Sequence, residues 1–321
     1  MPARIGLVLG AGGTTGHGFH CGVLAALHDV LGYDARTAAV LVGTSAGSVV
    51  ASLLRAGLSG RDLAARACGE PPSPQVAALI ARIGPPAIGF DLPPPARRSG
   101  PASLTALRSA AFRPWNARLG TLASAALPEG TLPTSMISEP FTRLFGSRWP
   151  PDLRICAVRL DDGQRVVFPT DQAGISPGEA VAASCAIPGW FAPVTVGGHR
   201  YVDGGAWSPT NADVLTADDL DAVIISSPMS GPPRVAASAG DGPLRLLHRA
   251  YLSAEAARLR RRGMTVIVVE PTGADLSAMG PNAMDAGRRA EVTRTVRASV
   301  SARLQHGELA HAFDRIDLGH G

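Results

Sequence analysis

Ser45 stands in Gly43-Thr44-Ser45-Ala46-Gly47, the G-x-S-x-G spacing of a nucleophile elbow. Small flanking residues permit the tight turn that lifts a hydroxyl clear of a sheet. A helix N-terminus beneath it favours the negative charge that develops as the oxygen attacks. A serine here could instead cap that helix by satisfying its free backbone N–H groups. The nucleophile reading is favoured by the apolar run Ala39-Val40-Leu41-Val42 before the turn and by the helical face Val49, Val50, Leu53 and Leu54 after it. A nucleophilic serine needs a group to take its proton. One source is Asp203, at the end of a short strand in Tyr201-Val202-Asp203-Gly204-Gly205. An Asp before two glycines is, taken alone, commonly just a turn. The other source is a late histidine in the order serine, acid, histidine, for which His248, His306, His311 and His320 are available. An elbow that arrives after only two strands is early for that arrangement.

The loop Gly10-Ala11-Gly12-Gly13-Thr14-Thr15-Gly16 exposes consecutive backbone N–H groups one strand before the serine. Donors in that position suit an oxyanion. The dinucleotide pattern G-x-G-x-x-G fails because Thr15 takes the place of its third glycine, and Asp34 is a poor candidate for the ribose acid. His20 reads as a packing residue of the following helix rather than as a base.

These residues need elements to hold them. Ile5 to Leu9 is a short apolar run ending in glycines, as a buried parallel strand would be, and Val23, Leu24, Leu27 and Leu31 then follow helical spacing. Strand, turn and helix occur twice, the order of a doubly wound α/β sheet. Residues 71–150 break that order. Pro85-Pro86, Pro93-Pro94-Pro95 and Pro150-Pro151 interrupt the chain, and Phe112, Trp115, Phe141 and Phe145 are spread over short helical pieces, which suggests a cap or insertion. Strand signals resume at 154–158, 166–168, 201–202, 222–225 and 265–269. Helices are expected from Leu244 to Arg262 and from Asp285 to about Leu309, with a mobile loop from Met229 to Asp241 between strands.

Composition removes several classes of function. The 321 residues have 45% hydrophobic content, which fits a packed globule, in one large α/β unit or about two domains. The 30 basic residues are all arginine, so a Walker A loop, which requires Lys, is impossible. The net charge is only +4 and the arginines are interleaved with acids, so nucleic acid is not an expected partner. The one dense run, Arg258, Arg260, Arg261 and Arg262, precedes Gly263 as cations do at a helix C-terminus; contact with an anionic membrane surface is the alternative. Cys21, Cys68, Cys156 and Cys185 are too scattered for zinc or a disulfide framework, and no His, Cys, Asp and Glu cluster shows metal-ligand spacing. With no signal peptide or membrane span apparent, a soluble, cytoplasmic protein with reduced thiols is expected.

The glycine loop at 10–16, the serine motif at 43–47 and Asp-Gly-Gly at 203–205 occur in an order that resembles the patatin-like lipid acyl hydrolases. A fourth block, Ala183-Ser184-Cys185-Ala186-Ile187-Pro188-Gly189-Trp190-Phe191-Ala192-Pro193, is similar to the stretch preceding the catalytic Asp in that family. The resemblance covers about residues 4–60 and 150–270. It implies a three-layer α/β/α fold with a mainly parallel central sheet, formed by residues 1–321 as one domain with 71–150 as an insertion. It also implies a Ser45–Asp203 dyad, an oxyanion hole at Gly12 and Gly13, no cofactor or metal, and hydrolysis of acyl esters in phospholipids or related lipids; peripheral contact with a membrane surface is left open by the arginine run. The family carries Arg or Lys where this chain has Thr15, so the loop departs from the pattern there. An acyltransferase using the same acyl-Ser45 intermediate, or a non-catalytic lipid- or partner-binding module, remains an alternative reading.

Overall fold

The computed structural model describes residues 3–84, 100–107, 118–172, 174–236 and 240–318. The first strand, β1 (Ile5–Leu9), is followed by α1 (Gly13–Leu31), then β2 (Val40–Thr44), α2 (Ala46–Arg55) and α3 (Gly60–Cys68). Residues 71–150 contribute α4 (Pro74–Ile83), α5 (Leu119–Ala126) and α6 (Ser135–Phe145), with only an isolated bridge, Leu132 to Phe191, of strand character among the described residues. The proline runs at 85–86 and 93–95, and Phe112 and Trp115, lie outside the described residues. The remainder supplies β3 (Leu153–Arg159), β4 (Gln164–Phe168), α7 (Pro177–Ser184), β5 (Val194–Val196), β6 (His199–Asp203), β7 (Ala222–Ser226), α8 (Pro233–Ala236), α9 (Gly242–Arg261), β8 (Thr265–Val269), α10 (Gly273–Met279), α11 (Arg289–His306) and α12 (Glu308–Phe313).

The eight strands form one sheet in the order β5-β6-β3-β2-β1-β7-β8, with β4 paired to β3 off this path. The five strands β3-β2-β1-β7-β8 are parallel, whereas β4, β5 and β6 join antiparallel. Parallel strands are covered on both faces, so their side chains are apolar throughout. Alternate residues divide between two cores. Leu7, Leu9, Leu41, Ile155 and Ile224 pack with Phe19, Leu27, Leu54, Leu63, Val181 and Val296 of the helices on one face. Val8, Val42, Cys156, Val223 and Ile225 pack with Leu215, Leu252 and Leu259 on the other. This is the expected α/β/α arrangement with a mainly parallel sheet.

Several expectations are corrected at element level. The single helix expected from Asp285 to Leu309 is a 3-10 turn (Ala286–Arg288), then α11, then α12, with Gly307 in extended backbone between the two helices. The stretch from Met229 to Asp241 is not simply a mobile loop: Ser230 is buried and hydrogen-bonded to Ser227, and α8 follows; 237–239 lie outside the described residues. The arginine run ends α9 with Arg262 as its cap and Gly263 at φ +89°, as a helix C-terminus requires.

Candidate active site

One feature of register brings the two candidate motifs together. On β3, Cys156 pairs with Thr44 of β2 and Val167 of β4, while Ala157 pairs with Asp203 of β6 and Val166 of β4. Since β4 runs continuously along one edge, β2 and β6 share the other edge and meet end to end at consecutive β3 residues. β2 arrives there parallel to β3 and β6 antiparallel, so the residues that follow each strand turn out of the sheet at the same place. Those residues are Ser45 and the Asp203-Gly204 turn.

The Ser45 backbone lies at φ 52°, ψ −121°, a region that non-glycine residues occupy only when their surroundings hold them there. Ser45 occupies the N-cap position of α2, yet its side chain makes no capping bond, so the capping reading does not describe it. Three groups fix the turn. The Ser45 N–H donates to Ser184 Oγ at 2.8 Å, and the Ser184 hydroxyl donates in turn to the Cys156 carbonyl at 2.6 Å. Ser48 Oγ donates to the Ser45 carbonyl at 2.7 Å. Gly47 lies so near β1 that a Cβ would stand 1.9 Å from the Leu9 carbonyl oxygen, which excludes any larger residue.

Asp203 and Ser45 are both buried, and the Ser45 side chain lies near enough to the Asp203 carboxyl to favour its ionised form. Asp203 Oδ1 also accepts the Gly205 N–H at 2.7 Å. Burial disfavours the carboxylate and pushes the Asp203 pKa up to about 6, against the opposing pull of Ser45 and the Gly205 bond. Cys185 completes the surroundings. Its thiol contacts Ser48 Oγ at 3.7 Å and the Ser45 side chain, and burial, reinforced by Asp203, raises its pKa so that it stays a thiol.

The glycine loop is spent selectively. Gly10 N–H donates to Ser226 O at 3.0 Å, Ala11 N–H to Pro209 O at 2.7 Å, and Thr15 N–H to Ala283 O at 3.0 Å. Among the described residues the N–H groups of Gly12 and Gly13 have no such acceptor, and they sit at the N-terminus of α1, where an anion is favoured. Gly13 has φ +60°, a conformation glycine adopts without strain. The Gly10 carbonyl accepts the Gly47 N–H at 3.1 Å, which couples the loop to the elbow. Thr15, in place of the family's basic residue, is buried, and its hydroxyl has no hydrogen-bond partner among the described residues.

The late histidines do not join this group. His248 Nδ1 faces the Met229 carbonyl at 3.3 Å, His311 lies 3.7 Å from Asp314 on the surface, His306 is exposed at the end of α11, and His320 lies outside the described residues. His20 is fully buried, with Nδ1 2.8 Å from Ser226 Oγ and Nε2 2.8 Å from the Gly10 carbonyl. Burial lowers its pKa to about 4, so the neutral ring donates through Nε2 and steadies the loop from beneath. The packing role expected for His20 therefore includes a polar contact that its sequence position did not disclose.

No group of three or more His, Cys, Asp or Glu side chains among the described residues could hold a metal ion, and no described helix is long and apolar enough to cross a membrane. No curated protein matches the chain. Two solved structures resemble it over nearly its whole length. VipD from Legionella pneumophila has 13% identity and a TM-score of 0.43, covering 95% of this chain and 67% of its own. The type III effector protein ExoU has 16% identity and a TM-score of 0.38, covering 96% of this chain and 54% of its own. A family model described as patatin-like phospholipase matches residues 7–216. That span takes in the glycine loop, the Ser45 elbow and the Asp203 turn, and the chain belongs to the patatin-like phospholipase family.

Proposed function

We propose that the protein is a serine acyl hydrolase that cleaves acyl esters of phospholipids or related lipids. The observation carrying this reading is the meeting of Ser45 and the Asp203 turn at the abutting ends of β2 and β6, within a fold whose family is built on lipid acyl hydrolysis. Asp203 takes the Ser45 proton as Oγ attacks the ester carbonyl, and the Gly12 and Gly13 N–H groups hold the resulting oxyanion. The protonated Asp203 then gives its proton to the departing alkoxide. In the second half, Asp203 takes a proton from water as that water attacks the acyl-serine, and the fatty acid leaves with Ser45 reprotonated. A carboxyl whose pKa is near 6 is mostly ionised at neutral pH and still close enough to that pH to return the proton.

Residues 71–150 belong, on this reading, to the single domain, and α5 lies beside the site. Gly120 of α5 packs directly on the Ala206 carbonyl, three residues after Asp203. Four free cysteines fit a reducing, cytoplasmic setting. The test is to incubate the chain with phospholipid vesicles and a fluorophosphonate probe. Fatty-acid release and probe labelling should both vanish in Ser45→Ala while the circular dichroism spectrum is kept. Equal labelling of that variant refutes the assignment. Adding an alcohol acceptor separates hydrolysis from acyl transfer by the product formed.

A further inference from the structure

We propose that Asn211 is a positioning residue for the reaction assigned above, holding the Ser45 turn and the Asp203 turn in one frame. The inference rests on that reading of Ser45 and Asp203. Asn211 is fully buried and lies eight residues beyond Asp203, in the left-handed conformation (φ 53°, ψ 30°) that Asn tolerates better than most side chains. Its orientation is fixed by chemistry. Arg165 Nη1, which can only donate, faces Oδ1 at 3.4 Å; the carbonyls of Ser208 and Gly204, which can only accept, face Nδ2 at 2.6 and 3.4 Å. Nδ2 also donates to Thr44 Oγ1 at 3.1 Å.

The amide has two hydrogens for these three acceptors. Ser208 O takes the shortest bond, so the second hydrogen is shared between Thr44 Oγ1, immediately before the nucleophile, and Gly204 O, immediately after the base. A loop-holding role needs only the Ser208 bond. The shared hydrogen is what ties the two turns, and it continues into the elbow, because Thr44 pairs in register with Cys156, whose carbonyl accepts the Ser184 hydroxyl, which in turn accepts the Ser45 N–H. Asn211 is itself anchored from outside the site, since its N–H donates to Ser208 Oγ and Arg165 pairs with Asp213. Displacement of a reacting group by about 1 Å can cost on the order of 10²-fold in rate, so a tie between the two turns acts on turnover rather than on substrate affinity.

The experiment measures kcat and KM on a p-nitrophenyl ester, the rate of fluorophosphonate labelling and the melting temperature. The variants are Thr44→Ser, Thr44→Val, Asn211→Gly and the Thr44→Val/Asn211→Gly double. Glycine is chosen at 211 because it accepts the left-handed backbone. Thr44→Ser keeps the acceptor and should keep kcat within about 2-fold, whereas Thr44→Val and Asn211→Gly should each lower kcat and labelling by about 10- to 100-fold with KM within about 3-fold. The double variant should be no slower than Asn211→Gly alone, because both changes remove one shared bond. Equal turnover of Thr44→Val and Thr44→Ser, or single effects that multiply in the double variant, overturns the inference. If Asn211→Gly fails to fold, the Thr44 pair decides by itself. Ser45→Ala is the control for the underlying reading: labelling that persists there refutes the nucleophile, while labelling lost there together with equal Thr44 variants refutes only the role of Asn211.

Discussion

The strand ends that carry Ser45 and Asp203 and the helix α5 that packs beside them are held by different forces. At the strand ends, register, buried side-chain hydrogen bonds and two apolar cores fix every group, and Leu9, Leu41 and Ile155 are wholly buried. At α5, Leu119 and Leu127 are exposed, and the helix meets the turn after Asp203 through Gly120 and through one arginine at its start. The Arg118 guanidinium stacks over the Trp207 ring at 4.5 Å and the Tyr251 ring at 5.0 Å, and its Nη1 donates to the Trp207 carbonyl at 3.0 Å. On the proposed reading, placing chemistry on the first kind of structure allows what lies beside the site to change without disturbing its geometry.

Breaking the rigid side should give the largest effects. Ser45→Ala should abolish turnover, and Asp203→Asn, which keeps the shape and removes the base, should lower kcat by about 10²–10⁴-fold, read from ester hydrolysis at pH 8. In the wild type, kcat/KM should fall about tenfold per pH unit below about 6, the value to which burial pushes Asp203, and rate measurements from pH 4.5 to 8 locate that limb.

The same raised pKa makes a stability prediction. The folded carboxyl binds its proton up to about pH 6, whereas the unfolded one releases it near 3.8, so this group's favourable contribution is complete at low pH and is lost as pH rises from about 3.8 through 6. Above that window the buried charge costs on the order of 3 kcal/mol. Asp203→Asn should therefore raise the melting temperature at pH 8 and much less at pH 4, and calorimetry at the two pH values checks this. Comparable in size, Ile155→Ala in the core should cost about 2–5 kcal/mol in denaturant melts.

Changes in the insertion sharpen the contrast from its weaker side. Arg118→Ala removes the stacked cation and should cost only about 0.5–2 kcal/mol. Amides of α5 should exchange faster in that variant, with those of β1 and β2 unchanged, by hydrogen-exchange mass spectrometry. Leu119→Ser, at an exposed position, should alter stability by less than about 0.5 kcal/mol.

The parts of the molecule legible in the sequence were those encoded locally. The runs around Val8, Leu41 and Ile224 carry their strand signal within five residues, and the elbow announces itself through the small residues that its geometry demands. Asp203 was visible because two glycines follow it. The residues that fix these turns were not legible in the same way. Ser184 bonds Ser45 across 139 positions and Asn211 bonds Thr44 across 167, separations over which one sequence carries no periodic signal. Ser184 is marked only by lying in a block similar to a family stretch, and Asn211 only by the tolerance of Asn for a left-handed turn. The strand β5, just three residues long, fell below the length at which alternation is visible. The break at Gly307 is hidden in the sequence because α12 continues the helical composition beyond it.

The end-to-end meeting of β2 and β6 on one edge of β3 also sets when the chain can become active. β1, α1, β2 and α2 are close in sequence and can associate early, but on the proposed mechanism the site lacks its base until β6, reached only after the β3–β4 pair, docks beside Ala157. Contacts of such long sequence separation form late because their loops are costly to close. On the proposed mechanism, a newly made or partly unfolded chain therefore carries Ser45 without its proton acceptor and does not hydrolyse esters. On refolding, regain of turnover should lag the return of sheet signal, so that hydrolysis itself reports completion of the fold.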